Sequence, residues 1–129
     1  MKNGASFLIS GLALVLLSGP LQADVLIHVW ECEVDDDTTR AELEELSVAW
    51  TNAAKTIKGA ECLEVYLNYP ISGDIGDGEF LFIMVMPSAT AWGQFEDGYD
   101  GSEAAKIDET WEEIASCSET SLWSSVAMQ

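Results

Sequence analysis

EFLFIMVM, residues 79–86, is a short, continuously apolar run bounded by ISGDIGDG (71–78) on one side and Pro87-Ser88 on the other. A run of that length between turn residues, rich in Phe, Ile and Val, reads as a strand buried on both faces. Working backward, ECLEVYLNY (61–69) is a second strand, closed by Pro70, and the Gly/Asp turn makes the two a hairpin. Before it, Leu43, Leu46, Trp50, Ala53 and Ile57 recur at steps of three and four, the stripe of a helix. Thr39 and Glu42 are spaced as a capping box at its start, and Gly59 is a natural stop. Asp35–Asp37 form a turn before the helix, and VLIHVWECE (25–33) before that is the first strand.

Working forward, a short helical or irregular stretch carries Trp92 and Phe95, followed by a loop over EDGYDG (96–101). Ser102 then caps a second long helix with the stripe Ala104, Ile107, Trp111 and Ile114, and Leu122–Met128 is the last strand. The order βαββαβ predicts an α+β, ferredoxin-like unit: a four-stranded antiparallel sheet of order 4-1-3-2 with both helices on one face.

The N-terminus predicts export. Met1-Lys2 precedes an apolar run over residues 7–17, broken by Ser18-Gly19-Pro20, with a cleavage point near Ala23. That is the pattern of a secretory signal peptide over 1–23, and the run is too short for a bilayer span. The folded domain is then 24–129, periplasmic or secreted. Removing 23 residues from 129 leaves 106, enough for one core, and losing Lys2 moves the net charge from −18 to −19. With only Arg40, Lys55, Lys58 and Lys106 as cations, nucleic acid and anionic membrane surfaces are excluded as partners.

Strand alternation sorts the apolar residues into two sets. One is branched and aliphatic: Val25, Ile27, Val29; Leu63, Val65, Leu67; Leu81, Ile83, Val85. The other holds Leu26, His28, Trp30; Tyr66, Asn68; Phe80, Phe82, Met84, Met86. The aliphatic set is expected under the helices. The ring- and Met-rich set would then face outward, where leaving each large side chain in water forgoes about 1.5–3 kcal/mol. A second sheet must cover it, so the domain is expected to form a homodimer through its open face, enclosing a cavity.

In this architecture the chain resembles the dimeric α+β barrel superfamily. VWEC (29–32), AWGQFEDGY (91–99) and the Cys at 117 resemble small exported bacterial members with no established activity. Other members include cofactor-independent monooxygenases, haem-degrading enzymes and stress-response proteins. The resemblance implies a ligand cavity in each half, with His28, Trp30, Tyr66, Asn68, Phe82, Met84 and Trp92 as its candidate lining. The Trp, Tyr and Asn combination is similar to the cavity of the monooxygenases. The superfamily's haem enzymes ligate iron through a helical His, which neither helix here contains, so no haem or other cofactor is expected.

Two functions follow. One is an exported dimer that binds a small hydrophobic ligand or a partner. The other is a cofactor-independent monooxygenase or isomerase for an aromatic, polyketide-like substrate, with His28 as the base. Ahead of that role, His28 reads as a hydrogen-bonded histidine in the dimer core. Its being the only His leaves no triad. Asp74, Asp77 and Glu79, the Asp97–Glu103 loop and Asp35–Asp37 lack EF-hand spacing, so no metal is expected.

Of Cys32, Cys62 and Cys117, the first ends strand 1 and the last precedes strand 4, which runs antiparallel beside it. Opposed residues of such a pair lie about 4.5–5.5 Å apart, within disulfide reach. Cys62 begins strand 2, at the other end of the sheet. The expected bridge is Cys32–Cys117, with Cys62 free.

Overall fold

The computed structural model describes residues 24–74, 76 and 78–128. The signal-peptide reading of 1–23 lies outside them, as does Asp77 of the acidic turn. The described residues form β1 (Val25–Val34), α1 (Arg40–Ala54), β2 (Glu64–Asn68), β3 (Glu79–Met86), α2 (Ala89–Tyr99), α3 (Glu103–Trp111) and β4 (Ala115–Ser125). The sheet runs β2-β3-β1-β4, with every neighbouring pair antiparallel. This is the 4-1-3-2 order that the strand and helix sequence predicts.

Local chemistry sets the helix starts. Thr39 accepts from the Glu42 amide while the Glu42 carboxylate accepts from the Thr39 amide, a complete capping box. Ser88 and Ser102 cap α2 and α3 in the same way, each accepting from the amide three residues on. After α1 the chain turns at Gly59, whose φ is +97°. A Cβ there would also strike the carbonyl oxygen of Ala91, so glycine is required both for the turn and for the approach of α2.

Several boundaries differ from expectation, among them the end of α1, which stops at Ala54 so that Ile57 lies beyond it, and the start of β2, at Glu64 rather than Glu61. Residues 96–99 of EDGYDG are helical, because α2 continues through them and only Asp100, Gly101 and the cap Ser102 link it to α3. Ile114 falls outside α3, and β4 begins at Ala115 rather than Leu122, so Cys117 lies within the strand.

The larger correction concerns which face of β1 and β3 the helices cover. Phe80, Phe82, Met84 and Met86 are all buried, with Leu26 and Trp30 packed against them. The branched set of those two strands is the one left open: Val25, Ile27, Val29, Leu81, Ile83 and Val85 are only partly buried. The reason lies in ring geometry. Trp50 meets Phe82 edge to face at 5.4 Å between centroids, and Trp111 does the same to Phe82 at 5.7 Å and to Phe80 at 6.1 Å. Large rings from the helices interlock with large rings from the sheet, as edge-to-face contacts favour.

β2 does present Val65 and Leu67 to the helices, as expected. Its register, with Leu67 opposite Phe82 and Tyr66 opposite Ile83, therefore sends Tyr66 and Asn68 to the open face.

Cys32 and Cys117 are bonded, joining β1 to β4 across a sequence separation of 85. A register shift between Glu31 and Cys32 brings the two directly opposite one another. Cys62 is free and exposed.

Candidate functional site: a ring-lined cavity under the helices

The helix-covered face does not close completely. A cavity of about 420 Å³ remains between β1, β3 and β4 on one side and all three helices on the other, within the size range of small-molecule sites. β1 contributes His28 and Trp30 to its lining, and β3 contributes Phe82 and Met84. Trp50 comes from α1; Phe95, Glu96 and Tyr99 from α2; Asp108 and Trp111 from α3, with Glu112 just beyond. Ala115, Ser116 and Cys117 complete it from β4. Glu96, Glu112 and Ser116 are exposed and mark the mouth.

Two hydrogen-bonded chains fix the walls. Trp50 Nε1 donates to the Tyr99 hydroxyl at 3.0 Å, and that hydroxyl donates to Asp108 Oδ2 at 3.0 Å. Burial, followed by the nearby Asp108 and Glu112 carboxylates, outweighs the Trp50 bond and raises the Tyr99 phenol well above its ordinary 10.0, so it stays a neutral donor. Trp111 Nε1 donates to the buried Ser47 hydroxyl at 3.1 Å, anchoring the ring of α3 to α1.

His28 is half-buried, and its ring stacks on Trp30 at 3.7 Å between centroids. Nε2 lies 2.8 Å from Thr120 Oγ1 and Nδ1 lies 3.5 Å from Trp92 Nε1. An indole nitrogen only donates, so Nδ1 is the acceptor and the proton sits on Nε2, given to Thr120. Burial lowers the pKa from 6.5, favouring this neutral form.

The lining expected for a cavity on the open sheet face is divided: His28, Trp30, Phe82 and Met84 lie on the other face, under the helices, and line this cavity instead. Trp92 touches it only through His28. Tyr66 and Asn68 do not belong to it, since the register of β2 sets them on the opposite face of the sheet, where Tyr66 is 50% exposed. Trp50 and Trp111, legible as helix-stripe core residues, are both core and wall. Glu96, Tyr99, Asp108 and Glu112 carry no spacing signal; only the helical course of 96–99 brings the first two inward. The described residues contain no group of three or more His, Cys, Asp or Glu placed to hold a metal ion.

The fold is ferredoxin-like. SnoaB, a cofactor-independent oxygenase from Streptomyces nogalater, superposes with a TM-score of 0.58 at 17% identity, over 83% of this chain and 96% of that one. A point variant of the same enzyme gives 0.57 at 14% identity, over 80% and 94%. A dimeric ferredoxin-like protein of unknown function from Thermobifida fusca YX gives 0.51 at 10% identity, over 81% and 92%. No family model matches the chain, and no curated protein does. At such identities the likeness is one of fold, and function has to be argued from the site.

Proposed function

We propose that the chain is an exported homodimeric barrel-type protein that binds a small, largely apolar, ring-bearing ligand. The supporting observation is the 420 Å³ cavity lined by six aromatic rings, with a single hydrogen-bonded imidazole at its floor. Binding is favoured over chemistry by the state of His28. Its one lone pair faces the Trp92 indole and its one proton goes to Thr120, so no base is left pointing at a guest.

Self-association is supported by the open sheet face, whose half-buried Ile27, Val29, Ile83 and Val85 lie near exposed Tyr66 and Trp123. Export is supported by the Cys32–Cys117 bridge, since such bonds persist in oxidising compartments. Within the described residues no helix is long and apolar enough to cross a membrane. Native mass spectrometry of the purified protein tests all three. The expected species is a dimer of chains beginning at Asp24, carrying or taking up a small molecule. A protein that quenches no tryptophan fluorescence with any small aromatic compound would remove the ligand reading.

A second reading, a cofactor-independent oxygenase or isomerase, has the fold of SnoaB and the position of His28 in its favour. Here His28→Ala abolishes turnover of an aromatic substrate while leaving its binding intact. Loss of stability with no turnover in either protein removes it.

A further inference from the structure

The cavity is unusual in its charge as well as its rings. Glu96, Asp108 and Glu112 line it, and no Lys or Arg does. The two ion pairs among the described residues, Arg40–Glu44 and Lys106–Glu103, are both on exposed surface, and none of their members lines the cavity. His28, the only other group able to carry a positive charge there, is held neutral by burial and by its two ring contacts.

The walls therefore combine carboxylates without counter-charge and the six aromatic rings of Trp30, Trp50, Phe82, Phe95, Tyr99 and Trp111. A ring face attracts a cation through its quadrupole, more strongly when both are shielded from water, and carboxylates at the mouth add to the same field. A neutral guest gains from neither, and an anionic one is opposed by both.

Resting on the ligand-binding reading, we infer that the cavity selects an organic cation: a quaternary or protonated tertiary amine bearing an apolar group. The charged head sits against the rings and faces Glu96, Asp108 and Glu112, while the apolar part fills the space over Phe82 and Met84. The Glu96 carboxyl agrees with such an occupant. Partial burial first, then the neighbouring Asp100 and Asp97, raise its pKa, a cost that a bound cation would relieve.

Phenyltrimethylammonium and tert-butylbenzene have nearly the same shape and differ in charge, so titrating both into the mature protein at low salt isolates the charge. The expected result is binding of the cation about tenfold or more tighter than the neutral compound. In Glu96→Gln/Glu112→Gln, two exposed positions, that preference should fall to about twofold while the melting temperature holds. If the neutral compound binds as tightly as the cation, the selectivity is refuted and the ring-lined binding cavity stands. If neither binds, the binding reading falls and takes the inference with it. If the preference survives unchanged in the double variant, the cation is held elsewhere on the acidic surface and the assignment is overturned.

Discussion

The two faces of the sheet are built from the same strands and are both apolar, yet they differ in kind. Under the helices lie rings and thioethers, Trp30, Phe80, Phe82, Met84 and Met86, met by Trp50, Phe95 and Trp111. On the open face lie branched aliphatics, Ile27, Val29, Leu81, Ile83 and Val85, beside Tyr66 and Trp123. Irregular, ring-rich packing leaves a chamber; short branched side chains make an even surface suited to another sheet. One face leaves room between its rings, and the other offers an even apolar surface.

Truncating the ring-rich face should hurt most. Phe82 touches Trp30, Trp50 and Trp111 edge to face, so Phe82→Ala should cost about 3–5 kcal/mol in urea unfolding. A loss under about 1 kcal/mol would mean that the helices do not seat on this face. Next is the bridge that ties β4 to the sheet. Replacing Cys32 and Cys117 together by Ala should cost about 2–4 kcal/mol, for a closure spanning 85 residues. Free-thiol labelling of the native protein should meanwhile modify Cys62 alone.

On the open face the expected pattern reverses. Ile83→Lys should leave the unfolding free energy of the chain within about 1 kcal/mol yet convert the dimer to monomer in sedimentation. If Ile83→Lys unfolds the chain as badly as Phe82→Ala, the two faces do not differ in what they support.

How much of this the sequence reveals follows from what kind of signal carries it. Element order is local information: the Thr39/Glu42 box, the Ser102 cap and the Gly/Asp turn at 71–78 each announce a boundary, and all three hold. The disulfide follows from strand order alone. Face assignment is not local. In β2 the alternation of Val65 and Leu67 with Glu64, Tyr66 and Asn68 identifies the buried side without ambiguity, and the structure agrees. In β1 and β3 both faces are apolar, so a period of two separates them without saying which meets the helices.

Joining the strands then needs a register, and Leu67 opposite Phe82 is fixed only by the folded sheet. That is how Tyr66 and Asn68 fall out of the site and Tyr99 and Asp108 come into it. The helical course of EDGY is hidden for a related reason. Gly98 reads as a turn residue, but it is where α2 passes Ile57, and a Cβ there would lie 2.9 Å from the Ile57 Cγ2. Phe95 and Tyr99, one turn apart with ring centroids 5.4 Å from each other, hold the helix through the weak positions.

The smallest effect tests the enclosed face from its one titratable ring. Burial lowers the pKa of His28 in the folded chain below the 6.5 it has when unfolded. Between those two values the unfolded chain binds more protons than the folded one. The stability His28 contributes is therefore complete above about pH 6.5 and declines as pH falls toward the folded value. Protonating Nδ1 also sets two donors against each other, since Trp92 Nε1 already points there.

Other groups in the chain titrate over part of the same range, some with the opposite sign: Glu96, raised by burial, favours the folded state as pH falls. Comparison with His28→Gln, which keeps a polar group and removes the titration, cancels them. Measured by urea unfolding at pH 7.5 and 5.5, the wild type should lose stability relative to His28→Gln on acidification, by less than the loss caused by breaking the disulfide. Parallel curves would mean that His28 feels bulk water. The ring stacked on Trp30 would then be part of the surface, and the cavity it floors would be open to solvent throughout.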